Sequence, residues 1–251
     1  KYLKLLEVEE SSTIVASTCE SISEILATVG MSALTLKTDA TETVPAQDIG
    51  TVLLNHILVL LNEKAVCQQG GGGDGEDEGE DGDHVAIMDY VCDLVGSVAK
   101  AIGPHFDTYI PHIFPLLLKF CNPKRVYTSQ IMALGCFGEC FMELGPAATK
   151  YVDSMAPLIK QGLENTTHEN VRRNSAFALG HMVKACGSNI GQENLLQMLS
   201  WLGPLCSVAS EKDQKTGAKG ADVDNAVSAV SRMIEACPGM IPLESILPVN
   251  F

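Results

Sequence analysis

The residues best placed to do chemistry in this 251-residue chain are carboxylates, and they come in two arrangements. Between Asp74 and Asp83 stand seven acids, Asp74, Glu76, Asp77, Glu78, Glu80, Asp81 and Asp83, directly behind the glycine run Gly70–Gly73. Elsewhere acids pair at four-residue spacing, Asp89 with Asp93 and Glu139 with Glu143. On a helix that spacing sets both carboxylates on one face, where they attract ammonium and guanidinium groups. Asn174, Phe177 and His181 form a further stripe at i, i+3 and i+7, and Asn225 and Ser228 repeat its first step. An Asn side chain offers a peptide backbone both a donor and an acceptor.

Other chemistries are poorly served. No Lys-Ser/Thr follows the glycine run, and the acids behind it repel phosphate. Counted from Asp74 as a calcium loop, the twelfth position is Val85, where a bidentate Glu is required. Cys136 and Cys140 are one helical turn apart, and His105 and His112 flank Pro111, but no four-ligand set has zinc spacing. No nucleophile elbow marks a Ser/His/Asp or Cys/His arrangement. Asn165-Thr166-Thr167 is a formal glycosylation sequon without a secretion signal beside it. Neither a catalytic residue, nor a metal site, nor a cofactor is expected, and the chain reads as no enzyme.

Composition narrows the rest. Lys and Arg number 17 against 31 Asp and Glu, a net charge of −14, with 46% hydrophobic and only 19% charged residues. That is ample material for a packed core, not the make-up of a disordered acidic chain. No basic tract exists, so direct nucleic-acid binding is not expected; an acidic surface suits a basic partner. The nine cysteines lack CxxC pairs and sit mostly in apolar stretches, like free thiols of the cytosol or nucleus. The longest apolar run, Ile57 to Leu61, is too short for a membrane span.

The elements that would position these residues are helices. From Val85 to Ile102 the apolar residues Ile87, Val91, Leu94, Val95 and Val98 recur at three- and four-residue steps, and Gly103-Pro104 stops the run. Gly103-Pro104 returns 42 positions later as Gly145-Pro146, then as Gly187, and Pro115-Leu116 returns as Pro157-Leu158. Such a period belongs to HEAT and armadillo units, helix pairs that must stack to bury their apolar faces. Helices are expected over 11–30, 48–62, 85–102, 105–120, 126–144, 147–163, 169–186, 193–208 and 222–236. The expected fold is all-α: one α-α superhelix (HEAT-repeat solenoid) over 1–251, about five hairpins in a right-handed arch. An acidic Gly-rich loop over 67–84 and an insertion over 210–220 are expected to be mobile. An uncapped start and an end in mid-repeat suggest a piece of a longer solenoid.

Specific segments sharpen this. Glu169–Gly180 (ENVRRNSAFALG) resembles the second helix of a HEAT repeat in the importin-β (karyopherin-β) family of nuclear transport receptors. Ser129–Glu139 (SQIMALGCFGE), Asp224–Arg232 (DNAVSAVSR) and the later Ile246-Leu247-Pro248 resemble further repeats of that family, as does an acidic tract just before the helix at Val85. The resemblance runs over roughly 63–251, more faintly before; the Gly-diluted acids and the Lys-bearing segment 210–220 depart from the family pattern.

The resemblance implies a carrier shuttling between cytoplasm and nucleus, with basic cargo such as core histones and ribosomal proteins, nucleoporins as further partners, and release by Ran GTPase through amino-terminal repeats. It also implies that second helices line the concave face. There Asp89, Asp93, Glu139, Glu143, Asn174, Phe177, His181, Asn225 and Ser228 would hold a basic nuclear localisation signal, and the acids of 74–83 would steer or clamp it. A non-transport HEAT scaffold and an acidic histone-chaperone module are the alternatives.

Overall fold

In a computed structural model of the chain, residues 1–40, 45–69, 78–216 and 220–242 are described, the side chains of 78–86 and 207–216 excepted. The helices there are α1 (Tyr2–Val8), α2 (Ser12–Val29), α3 (Met31–Thr35), α4 (Ile49–Leu61), α5 (Glu78–Ile102), α6 (Ile110–Phe120), α7 (Tyr127–Leu144), α8 (Val152–Leu163), α9 (Glu169–Cys186), α10 (Gln192–Thr216) and α11 (Ala221–Ala236). Among the described residues no strand forms, and extended pairing is confined to one antiparallel bridge between Lys37 and Asp48.

Five pairs follow one another in chain order: α1/α2, α4/α5, α6/α7, α8/α9 and α10/α11. The chain divides within α7 into two compact units, Lys1–Cys136 and Phe137–Phe251, where a single array is the sequence expectation. In the first unit α4 packs on α5 and α6, and α2 lies broadly along α5. In the second, α8 packs on α9 and α10 on α11, while α8 also meets α10 and α9 lies along α11. First helices thus stack on first helices and second on second. The driving force is apolar burial: Ile87, Val91, Leu94, Val95 and Val98 of α5 are all buried. Removing each such side chain from water contributes about 1.5–3 kcal/mol.

Gly103, Gly145 and Gly187 take φ of 55°, 53° and 54°. A positive φ of this size, with ψ of −139° at Gly187, is open to glycine at little cost and ends the preceding helix. Behind them come 3₁₀ turns, Gly103–Thr108, Gly145–Tyr151 and Gly187–Ile190. The expected first helices at 105 and 147 therefore begin later, at Ile110 and Val152, because Pro104 and Pro146 open a tighter turn. Pro115 and Pro157 occupy the same sixth position of α6 and α8.

Two expectations need correction. α5 starts at Glu78, not Val85, so positions 78, 80, 81 and 83 of the expected loop belong to its first turns. Asp74, Glu76 and Asp77 lie outside the described residues. α10 runs on to Thr216, so the first part of the expected insertion 210–220 is helical. Its sequence, with Glu211 and Lys215 four apart among good helix formers, supports helix rather than loop. By length and composition Ile49–Gln68 and Tyr127–Leu163 are apolar enough to cross a membrane. Here Leu53, Ile57, Leu60, Phe137, Cys140 and Phe141 from them are core residues.

Close helix contact relies on missing side chains. A Cβ at Gly180 of α9 would come within 2.8 Å of Ala229 Cα on α11, and one at Gly138 of α7 within 2.4 Å of the Phe177 ring. A Cβ at Gly203, within α10, would meet no atom of a neighbouring element within 4 Å among the described residues. Gly203→Ala should therefore raise stability by up to about 1 kcal/mol through helix propensity. Gly180→Ala should lower it by about 1–3 kcal/mol, since backbone must move. Urea unfolding of the two variants checks this; equal effects would contradict the close approach.

Candidate functional site

The acid pair of the first unit sits on α5. Asp89 and Asp93 are both exposed, while Val91, Cys92, Leu94 and Val95 between and beside them are buried. Neither carboxylate has an ion-pair partner among the described residues. Burial, and then the neighbouring Asp89 charge, raise the Asp93 carboxyl above its ordinary value. Two like charges are held together there without a cation between them.

In the second unit, Glu139 of α7 is exposed and Glu143 half-buried. Asn174 and Phe177 of α9 are half-buried, and His181 is buried. Phe177 meets His181 edge to face, with ring centroids 4.5 Å apart. Burial first, then the charges of Arg232 and Lys184, bring His181 down to about 4, so it is neutral at physiological pH. Ser228 of α11 is half-buried, and Asn225 Nδ2 donates to the Arg173 carbonyl at 3.1 Å. One end of Asn225 therefore braces two second helices, and its carbonyl oxygen has no partner among the described residues.

Local sequence reasoning missed what orders this face. Arg172 Nε donates to Asp222 Oδ2 at 2.7 Å with both side chains largely buried, and Arg172 Nη1 donates to the Asn165 carbonyl at 2.9 Å. Glu169 Oε1 accepts from the Ala221 amide at 3.0 Å. Asn165, read from sequence only as a formal sequon, accepts from the Thr167 and His168 amides through Oδ1 and shapes the approach to α9. Arg172 and Asp222 do lie in or next to the two repeat-like segments, but a pairing across 50 positions leaves no trace in local periodicity.

Among the described residues no group of three or more His, Cys, Asp or Glu could hold a metal ion. Most of the thiols are buried, and Cys19 and Cys121 are pushed up to about 12, chiefly by burial, which disfavours the reactive thiolate. Hollows open in both units among the described residues. An apolar one of about 200 Å³ lies among Tyr2, Ile25, Leu34 and Leu53, and one of about 340 Å³ between α8 and α10 is floored by Met198 and walled by Trp201 and Lys160. Neither gathers a nucleophile with a base. The arrangement suits holding an extended chain by charge, amide and ring contacts.

Comparison with known proteins gives a consistent picture. Residues 80–242 match the family described as Importin subunit beta-1-like, TPR repeats. Importin-4 of Homo sapiens is 25% identical over 250 residues, covering 98% of this chain and 21% of that protein. A probable importin subunit beta-4 of Schizosaccharomyces pombe is 27% identical over 165 residues, covering 66% of this chain and 14% of that one. The chain thus spans between 14% and 21% of the length of these relatives. Among solved structures, Kap121p bound to Pho4p superposes with a TM-score of 0.70 at 14% identity, over 98% of this chain and 21% of that one. Kap121p bound to Nup53p does so with 0.70 at 15%, over 96% and 21%. The likeness shows the fold: a HEAT-repeat solenoid.

The depressed His181 makes a pH prediction. The unfolded chain takes up this proton near the ordinary value of about 6.5, whereas the folded one resists until about 4. Above the unfolded value His181 costs nothing; as pH falls from about 6.5 towards 4 it progressively favours unfolding. His181→Gln should flatten that part of the stability profile in urea titrations, and an NMR titration of the His181 ring should give a midpoint near 4. A midpoint near 6.5 would contradict its burial.

Proposed function

Since the chain belongs to the importin-β family, whose repeats it matches over residues 80–242, we propose that it is the part of a nuclear import receptor that holds basic cargo on the outward faces of its second helices. The observation that carries this is the acid pair on α5. Asp89 and Asp93 stand exposed, one turn apart and with no ion-pair partner among the described residues, and the Asp93 carboxyl is raised by burial and then by its neighbour. A lysine ammonium set between them relieves that repulsion.

In the second unit Glu139 and Glu143 offer further carboxylates, and Asn174, Asn225 and Ser228 offer amide and hydroxyl groups to a peptide backbone. Phe177 and the neutral His181 ring form an apolar rest beside them. Kap121p has been solved with Pho4p, Nup53p and Ste12p bound, which supports the idea that this fold takes up protein segments. Cargo with lysine-rich signals, core histones and ribosomal proteins included, fits the charge of the chain, −14. The reading places the protein in cytoplasm and nucleus alternately, with nucleoporins as partners in passage and Ran as the releasing partner acting on other repeats.

Fluorescence anisotropy with a labelled lysine-rich peptide tests it. Asp89→Asn with Asp93→Asn should weaken binding by roughly tenfold, since contacts on an open helix face contribute on the order of 1 kcal/mol each. Affinity should fall with salt as the Debye length shrinks from about 8 Å at physiological strength to about 3 Å near 1 M. Because burial, and then the Asp89 charge, raise the Asp93 carboxyl, it takes up its proton at a higher pH than an ordinary aspartate, and affinity should decline on acidification sooner than for an unperturbed acid. Unchanged affinity in the double variant, together with indifference to salt, would contradict the assignment.

A further inference from the structure

On either side of the groove between them, α9 and α11 together carry four bases, Arg172, Arg173, Lys184 and Arg232, and four acids, Glu169, Asp222, Asp224 and Glu235, and two of the bases, Arg172 and Lys184, are paired with Asp222 and Glu235. Arg173 is exposed and Arg232 half-buried, and neither guanidinium has an ion-pair partner among the described residues. Asn225 of α11 bonds the Arg173 carbonyl, which places Arg173 beside the neighbouring helix. Arg232 Cδ lies 3.4 Å from where a Cβ on Gly180 would stand, so its stem crosses from α11 onto α9. Arg232 and Lys184 both press their charge on His181. Lys184 is answered by Glu235 at 3.2 Å, leaving the two arginines as unanswered cations of the groove.

We propose that this groove receives a segment of the partner bearing Asp or Glu side chains, with Arg173 and Arg232 as the receiving groups. The inference rests on the reading that second-helix faces hold cargo, and it assigns the acidic stretch of that cargo to α9/α11 and the lysines to acid pairs such as that of α5. Spacing supports a peptide. Arg232 lies seven residues beyond Asn225, which is level with Arg173; that is about 10 Å along the helix axis at 1.5 Å per residue. An extended peptide advances about 3.3 Å per residue, so acids three residues apart meet both arginines. Ser228 and the free carbonyl end of Asn225 on α11 supply backbone-matching contacts. Glu235, and Glu139 on α7, disfavour a continuous polyanion such as a nucleic acid.

The test uses the whole 251-residue chain and three labelled probes: a short peptide with Glu at every third position, the same peptide with Lys there, and a single-stranded oligodeoxynucleotide. Arg173→Gln and Arg232→Gln keep the aliphatic stems and the packing over Gly180. Each should weaken the Glu peptide by roughly three- to fivefold, as for partly solvated charge contacts, while Arg→Lys at both positions keeps most of the affinity. Arg173→Glu with Arg232→Glu should move the preference of the groove to the Lys peptide. If the two Gln variants, folded by circular dichroism, bind the Glu peptide like the parent, or if the oligonucleotide binds through the arginines as well as the peptide does, the proposal is overturned. If instead the Lys-rich peptide fails on the parent chain while the arginine dependence holds, the basic-cargo reading falls and the groove assignment stands.

Discussion

Everything outward-facing in the second unit depends on how closely α9 lies along α11. The two helices meet where Gly180 leaves room for the Ala229 backbone, and near their amino-terminal ends Arg172 reaches Asp222. Apolar burial of Val171, Ala176, Leu179 and Val183 supplies the stability. The ion pair has a different part. Desolvating two charges roughly cancels their attraction, whereas leaving one of them alone in the interior costs about 3–5 kcal/mol. The pair therefore penalises any sliding of α11 along α9 more than it stabilises the correct register. With that register set, Ala178 and Leu179 point inward and Asn174, Phe177 and Lys184 must point out. The surface offered to a partner is a consequence of packing.

Much of this architecture was legible because it repeats. The steps of Ile87, Val91, Leu94, Val95 and Val98 named a buried helix face, and all five are core. Gly103, Gly145 and Gly187, spaced by 42 in sequence, share one backbone conformation in space. The expected boundaries of α9 coincide with those found, because a polar start and a glycine stop bracket it. Errors fell where composition misled. Acids and glycines before Val85 read as loop, yet Glu78 onward is helical; the charged stretch after Val208 read as insertion, yet helix continues to Thr216. The short α1 and α3 gave no signal, since helices of one or two turns have too few positions for a period.

The site was legible residue by residue but not as a charge pattern. Acid pairs and the Asn174–Phe177–His181 stripe follow from helical spacing alone. What spacing could not say is that Asn225 is partly used in bracing α9, that His181 is buried and neutral, and that Arg232 leans over Gly180. These facts arise between helices some 50 positions apart in sequence, where no local pattern exists. They make the second helices chemically uneven: among the described residues Asp89 and Asp93 of α5 and Arg173 and Arg232 of α9 and α11 have no ion-pair partner, while Arg172 and Lys184 are paired with Asp222 and Glu235.

The most direct measurement is an amide chemical-shift map of the 26.8 kDa chain titrated with a lysine-rich peptide. Shifts should concentrate on the second helices, around Asp89 and Asp93 of α5 and around Glu139 and Asn174 on α7 and α9, with α8 and α10 unmoved. Shifts gathered instead about Trp201, Lys160 and Asn194 in the hollow between those first helices, or no shifts at saturating peptide, would contradict cargo binding on the second helices.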